Sequence, residues 1–270
     1  MNSSPPTPKA SYKFGFATDI GRKRAQNQDS GLALPEAGLF LVADGMGGHR
    51  GGETASQLAV DTIQEVVLRN QATGAWNARQ TLFEAIQSAN RAIYKRSQEE
   101  PELQGMGTTV TALLFHPPEP GAQGVRLVIG HVGDSRCYFV RGQQMWQITR
   151  DHSLVQEKFR AGLITRDELK TDQMKNVITR SVGFEAHANI DLYEFDAGPE
   201  DLFLICSDGL SSQVDDPVIL QTLKSALPLS EGHYQEPVVR LIQSANETGG
   251  PDNITAILIQ CGLASSAVSP

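Results

Sequence analysis

No uninterrupted apolar run in the 270 residues approaches the ~20 that a membrane-crossing helix requires, so no membrane contact is expected. Positive charge is also short: 23 Lys and Arg against 31 Asp and Glu leave a formal charge of −8. That argues against nucleic acid as a partner, because a duplex-binding surface needs a net basic face. Cysteine is scarce. Cys137, Cys206 and Cys261 are odd in number, widely spaced, and each lies in or beside an apolar strand-like run. A disulfide framework and a cysteine zinc site are thereby disfavoured, and reduced core thiols in a cytoplasmic protein are expected. The opening MNSSPPTPKA lacks the apolar stretch of a secretory signal. Its proline and serine predict a loose tail over residues 1–10, and LASSAVSP predicts another over 263–270.

What is present is an ordinary globular composition, 40% hydrophobic and 20% charged. The organising stretch is residues 39–56, LFLVADGMGGHRGGETAS. An apolar run ends abruptly at Asp44, five glycines follow within eight residues, and Glu53 opens a periodic apolar segment. This spacing predicts strand, glycine-rich loop and helix. A carboxylate at the mouth of a buried strand, beside bare backbone, suits either a metal or a phosphate.

Residues 12–18 alternate loosely and predict a first strand; residues 21–30 are polar and turn-rich. Apolar residues at helical spacing predict amphipathic helices over 53–70 and 78–96, joined around Gly74 as an antiparallel pair. From Gly107 the period changes. Strands are predicted over 108–115, 125–132, 137–140 and 145–149, the last two as a hairpin around Arg141-Gly142. The short connections imply an antiparallel meander. Residues 151–182 are more polar, mostly helical in pattern, and predict a peripheral, mobile insertion. A second buried strand over 201–206 also ends in Asp-Gly, at Asp208-Gly209. Helices over 217–226 and 234–245, a tight loop at 249–253 and a strand over 254–260 complete the chain.

Asp44, Asp208 and Asp252 each lie at a strand end beside glycine or proline. Singly, Asp-Gly is a common turn pair. Together the three resemble a convergent anionic cluster, which repels itself unless cations fill it. Oxygen-only ligands select hard ions such as Mg²⁺ or Mn²⁺. Gly45 offers a carbonyl that can approach an ion beside Asp44, or serves only the turn. Asp134, in GHVGDSR, is balanced between the cluster and a turn. Asp29, on spacing alone, reads as a solvated loop residue or helix cap. Arg24 reads as part of a solvated basic face, with bidentate phosphate contact as the sharper alternative. His49 is a surface histidine or a proton donor.

The motifs DGMGGHRGGETAS, GMGTT, GHVGDSR, TRDHS, TRSVG, CSDGL and GGPDNIT occur in that order. Together they resemble the protein phosphatase 2C family of metal-dependent Ser/Thr protein phosphatases, in its short bacterial single-domain form. The resemblance implies an α+β fold, a four-layer αββα sandwich of two antiparallel sheets flanked by helix pairs, over residues 11–262. It implies two tightly bound Mg²⁺ or Mn²⁺ ions and a third, weaker one. By position, Asp44 would bridge two ions, Asp208 and Asp252 would hold the first, and the Gly45 carbonyl the second, with Asp29 acting on the second through water. Asp134 with Asp208 would hold the third, Arg24 would bind the phosphoryl group, and residues 151–182 would be a flap. Two positions depart from the family pattern: Gln28 stands where many relatives carry glutamate, and Met46 where eukaryotic members carry a histidine proposed as general acid.

The activity implied is hydrolysis of phosphoserine and phosphothreonine in phosphoproteins, by a monomer, through in-line attack of a metal-activated water. No Cys-x5-Arg phosphatase loop is present. A non-catalytic phosphoprotein-binding module on the same fold is the alternative of another class, disfavoured by the intact Asp44, Asp208 and Asp252. A hydrolase of small phosphorylated metabolites is a third.

Overall fold

The computed structural model describes residues 10–48, 50–74, 76–116, 124–225 and 233–263. In chain order the first strands are β1 (Ala10–Asp19), β2 (Asp29–Leu34), β3 (Leu39–Met46), β4 (Gly107–Thr108), β5 (Val110–Phe115) and β6 (Val125–Val132). They are followed by β7 (Arg136–Arg141), β8 (Gln144–Gln147), β9 (Asp191–Ala197), β10 (Leu202–Cys206) and β11 (Ile254–Leu263). The helices are α1 (Gly51–Gln71), α2 (Ala78–Glu99), α3 (Leu154–Arg160), α4 (Asp208–Ser211), α5 (Asp216–Ser225) and α6 (Gln235–Glu247).

Two antiparallel sheets form, one in the order β1-β11-β10-β7-β8 and the other in the order β2-β3-β5-β6-β9, with β4 paired to β3. Strand alternation explains how they stack. Leu39, Leu41 and Ala43 of β3 pack under α1 and α2, whereas Phe40 and Val42 point into the space between the sheets. In β11, Ile257 and Ile259 face that same space, and Ile254, Ala256 and Leu258 lie under α5 and α6. Strands buried on both faces read as continuous apolar runs, which is why the central ones stand out in the sequence. Three buried layers of side chains thus separate helix, sheet, sheet and helix. The αββα sandwich expected from the family resemblance is the fold observed.

The helices follow their patterns closely. Asn77 caps α2 by accepting the Gln80 N–H at 2.9 Å. Asn70 Nδ2, at the end of α1, meets Glu84 Oε2 at 3.2 Å. Among the described residues no helix is long and apolar enough to cross a membrane. Cys137 and Cys206 are free and buried, and burial raises both thiols, Cys206 to about 12. Both are the reduced core thiols that the sequence predicts; the side chain of Cys261 lies outside those described, as do residues 1–9 and 264–270 of the expected tails.

Four expectations need correction. The strands from residue 108 onward do not form one meander: β5 and β6 belong to one sheet and β7 and β8 to the other, with residues 133–135 crossing between them. The strand expected over 108–115 breaks at Thr109, whose N–H donates to Asp44 O at 2.8 Å and leaves the ladder. Residues 151–182 are not mostly helical. They hold the short α3, one 3-10 turn at Asp167–Lys170 and otherwise turns, and both ends are anchored. Ser153 bridges Ile178, and Val182 bridges Thr108. Finally, β2 and β9 were not anticipated. Both are edge strands only partly covered, interrupted by Gly31 or by the charges of Asp191, Glu194 and Asp196, and so lack a clean period-two signal.

Phe203 is fully buried between the sheets, with ring centroids 5.3 Å from Phe139 and 6.4 Å from both Phe115 and Phe195. Phe203→Ala is expected to lower unfolding free energy by about 3–5 kcal/mol through lost burial and the cavity left behind. Chemical denaturation checks this, and a loss below ~1 kcal/mol would contradict a tightly packed central layer.

Candidate active site

The loops at one end of the two sheets bring together residues far apart in sequence. Asp29 opens β2 directly opposite Asp44 of β3. Like charges facing across a strand pair are destabilising, so the frame must hold them. Asp44 is fixed through its backbone: its N–H donates to Thr109 Oγ1 at 2.9 Å, and its carbonyl accepts from Thr108 Oγ1 at 2.9 Å and from Thr109 N at 2.8 Å. From the second sheet, β10 delivers Asp208 at the start of α4, and the loop before β11 delivers Asp252. Asp134 comes from the crossing between sheets and is 8% exposed.

Asn253 ties these loops together. Its side-chain oxygen accepts the Gln28 N–H at 2.8 Å, and its Nδ2 donates to Ile20 O and Gln26 O, both at 2.9 Å. Its backbone N–H donates to Asp252 Oδ1 at 2.8 Å. The approach is so close that a Cβ on Gly209 would lie 1.9 Å from Asn253 O, and one on Gly45 2.1 Å from Gly52 O. These positions admit no other residue. At the rim, Arg24 Nη2 donates to Asp252 Oδ2 at 2.7 Å, with the two side chains 49% and 32% exposed.

The electrostatics are those of a crowded anionic site. Burial, and then the charges of Asp29, Asp208, Asp134 and Asp252, raise Asp44 well above the usual carboxylate range. Burial followed by Asp208 and Asp151 raises Asp134, and burial followed by Asp252 raises Asp208. Asp29 is raised by burial from 3.8 to about 7, with Ser207 and Thr255 pulling back and Asp208 and Asp252 adding to the rise. Ser207 Oγ donates to Asp29 Oδ2 at 2.8 Å, while Asp29 Oδ1 and Asp134 Oδ1 are buried with no hydrogen-bond partner. Orphaned carboxylate oxygens amid like charges suit hard divalent cations, which supply the missing partner and the missing charge. Among the described residues, no three His, Cys, Asp or Glu side chains stand close enough to hold an ion as placed. The donor types, all carboxylate oxygens, fit such an ion.

Residues 21–258 match the family model described as Protein phosphatase 2C. The chain belongs to that family. It is 36% identical over 252 residues to the serine/threonine phosphatase stp of Listeria innocua, covering 92% of this chain and 95% of that protein. The fold matches the catalytic domain of serine/threonine protein phosphatase PstP in complex with two manganese ions at a TM-score of 0.79 and 35% identity, covering 94% and 99% of the two chains. It matches Stp1 of Staphylococcus aureus at a TM-score of 0.81 and 31% identity, covering 96% and 99%. The enzyme class is thereby a metal-dependent protein phosphatase.

Within this protein phosphatase 2C fold, Asp29, Asp44, Asp134, Asp208 and Asp252 interact as one electrostatic group, with Arg24 touching Asp252. The solvated-loop reading of Asp29 is overturned: it begins a strand and is 9% exposed. Packing against Gly52 alone already demands glycine at position 45, so its residue type carries no information about its carbonyl. His49 lies outside the described residues. Reading the sequence missed Ser207, Asn253, Thr108 and Thr109, although each adjoins an aspartate or threonine inside a quoted motif.

A carboxyl that binds its proton more tightly folded than unfolded stabilises the fold below its unfolded pKa, and that contribution disappears as pH rises through the folded one. For Asp29 the window runs from 3.8 to about 7. The metal-free protein is therefore expected to melt at lower temperature at about pH 8 than at about pH 5, and Mn²⁺ to raise the melting temperature more at the higher pH. A melting temperature in EDTA that stays level or rises across that range would contradict the buried cluster.

Proposed function

We propose that residues 11–262 form one catalytic domain, with residues 151–182 as a flap, that hydrolyses phosphoserine and phosphothreonine in phosphoproteins. The observation that carries this reading is the buried carboxylate group around Asp44, with two partnerless oxygens and an arginine at its exposed edge. Asp44, Asp208 and Asp252 would hold the first divalent ion; Asp44 and the Gly45 carbonyl would hold the second, with Asp29 acting on it through water; Asp134 with Asp208 would hold a third, weaker one. When bound, such cations supply Lewis acidity toward the phosphoryl group and lower the proton affinity of the attacking water.

The chain's own groups do the rest. Arg24 is exposed enough to leave Asp252 for a phosphoryl oxygen, for which a guanidinium offers paired donors. Thr108, Thr109, Ser207 and Asn253 hold the carboxylates and their loops in place. Cys137 and Cys206 are buried with raised thiol pKa values, and neither is available as a nucleophile. Attack by water in line with the leaving alkoxide needs no covalent phosphoenzyme. The relatives' names and the two manganese ions of the PstP complex support the substrate class and the metal. We place the enzyme in the cytoplasm, as a monomer acting in signalling.

Hydrolysis of p-nitrophenyl phosphate and of phosphothreonine peptides should require Mn²⁺ or Mg²⁺ and cease in EDTA. Asp208→Ala should bring turnover to background while the protein still folds. Activity retained by that variant, or absent with every divalent metal, would sink the proposal; preference for small phosphorylated metabolites over phosphopeptides would redirect it. Arg24→Ala should raise KM about tenfold, the order expected for one lost charge-assisted contact. An unchanged KM returns Arg24 to a solvated face.

A further inference from the structure

One buried side chain outside the carboxylate group grips the turn that carries Asp134. His152, 2% exposed, stands at the start of residues 151–182. Its Nδ1 accepts the Gly133 N–H at 3.1 Å, and its own backbone N–H donates to Gly133 O at 2.8 Å. An acceptor at Nδ1 puts the ring proton on Nε2, which donates to Asp191 Oδ2 at 3.2 Å. Arg180 Nη1 donates to the other oxygen of Asp191 at 3.0 Å. The His131 ring lies against His152 with centroids 4.8 Å apart, and is itself held by Thr111 and by Arg150 O. The His152 carbonyl accepts the Thr179 N–H at 2.8 Å. One residue thus joins both ends of the flap to the crossing between the sheets.

Gly133 has little freedom of its own to compensate. Its φ is +110°, and a Cβ there would lie 2.5 Å from Thr109 Cγ2. The turn is pressed on one side by Thr109, which also holds Asp44, and is bonded on the other by His152. Asp134 follows immediately, with its Oδ1 buried and partnerless. Its direction is inherited from the Gly133 backbone.

We infer that His152 is a positioning residue for the metal centre: its Nδ1 holds the Gly133 amide and so aims Asp134, while Asp191 and Arg180 fix the ring. The inference rests on the reading of Asp134 as ligand to the third, weaker ion. Partners of this kind, one step behind a ligand, commonly change metal affinity by about 10–100-fold when removed.

Two amide variants separate the ring's two nitrogens. In His152→Asn the side-chain oxygen replaces Nδ1 and can still accept from Gly133. In His152→Gln the amide reaches toward the Nε2 position, keeping Asp191 and losing Gly133. The measurements are Mn²⁺ binding by calorimetry, amide hydrogen exchange at Gly133, and kcat and KM on p-nitrophenyl phosphate. His152→Gln should lose Gly133 protection, weaken the weakest Mn²⁺ site by about tenfold and lower kcat, leaving the tight sites and KM near wild type. His152→Asn should stay close to wild type in all of these. Equal behaviour of the two variants, both intact or both impaired, overturns the inference. Asp134→Ala tests the underlying reading separately. If that variant keeps every Mn²⁺ site, the third-ion assignment falls, and Gly133 exchange alone decides whether His152 holds the turn.

Discussion

Five aspartates gathered at one end of two sheets repel one another, and the surrounding frame is built to withstand that repulsion. Asp44 feels the charge of Asp29, Asp208, Asp134 and Asp252, and burial removes the water that would otherwise screen them. A chain with freedom to relax would splay these loops apart. It does not, because neighbouring hydroxyl, amide and backbone groups fasten each loop in place. Thr108 and Thr109 hold Asp44, Ser207 holds Asp29, and Asn253 joins the loops of Asp252 and Arg24. The oxygens left over are the ones available to cations.

The three buried layers explain how loops so far apart in sequence can be held to that tolerance. Each sheet has helices on one face and the other sheet on the opposite face, so its strands are fixed from both sides. Close-packed interiors resist displacement, and that rigidity is passed to the strand ends where the aspartates sit. Glycine at position 45 lets the end of β3 press against the start of α1, and glycine at 209 lets the start of α4 press against Asn253 before β11. The crossing at residues 133–135 lies against Thr109 on one side and His152 on the other.

Residues 151–182 belong to this frame more than their polar sequence suggests. Asp151, His152 and Ser153 are buried, and Arg136 clamps Asp151 at 2.7 Å. The middle of the segment is a single short helix and turns, with Lys158 paired to Asp172 at 2.9 Å. Anchored ends with a loosely structured middle let such a segment vary without disturbing the strand ends beside it.

By itself the sequence determined the helix pairs, the doubly buried strands and the aspartates that gather at one end of the sheets. Helical periodicity, unbroken apolar runs and ordered motifs are local signals that survive without knowledge of partners. The family assignment followed from seven such motifs in order. Only the tertiary structure decided that Asp29 is a buried strand residue facing Asp44, that β6 and β7 part into different sheets, and that β2 and β9 exist. It also decided that Ser207, Asn253, Thr109 and His152 hold the site together. These outcomes depend on which groups meet across the folded chain, as Asn253 meets Gln28 and Ser207 meets Asp29. Edge strands and hydrogen-bonded supports carry no periodicity of their own, and their meaning lies in what stands opposite them.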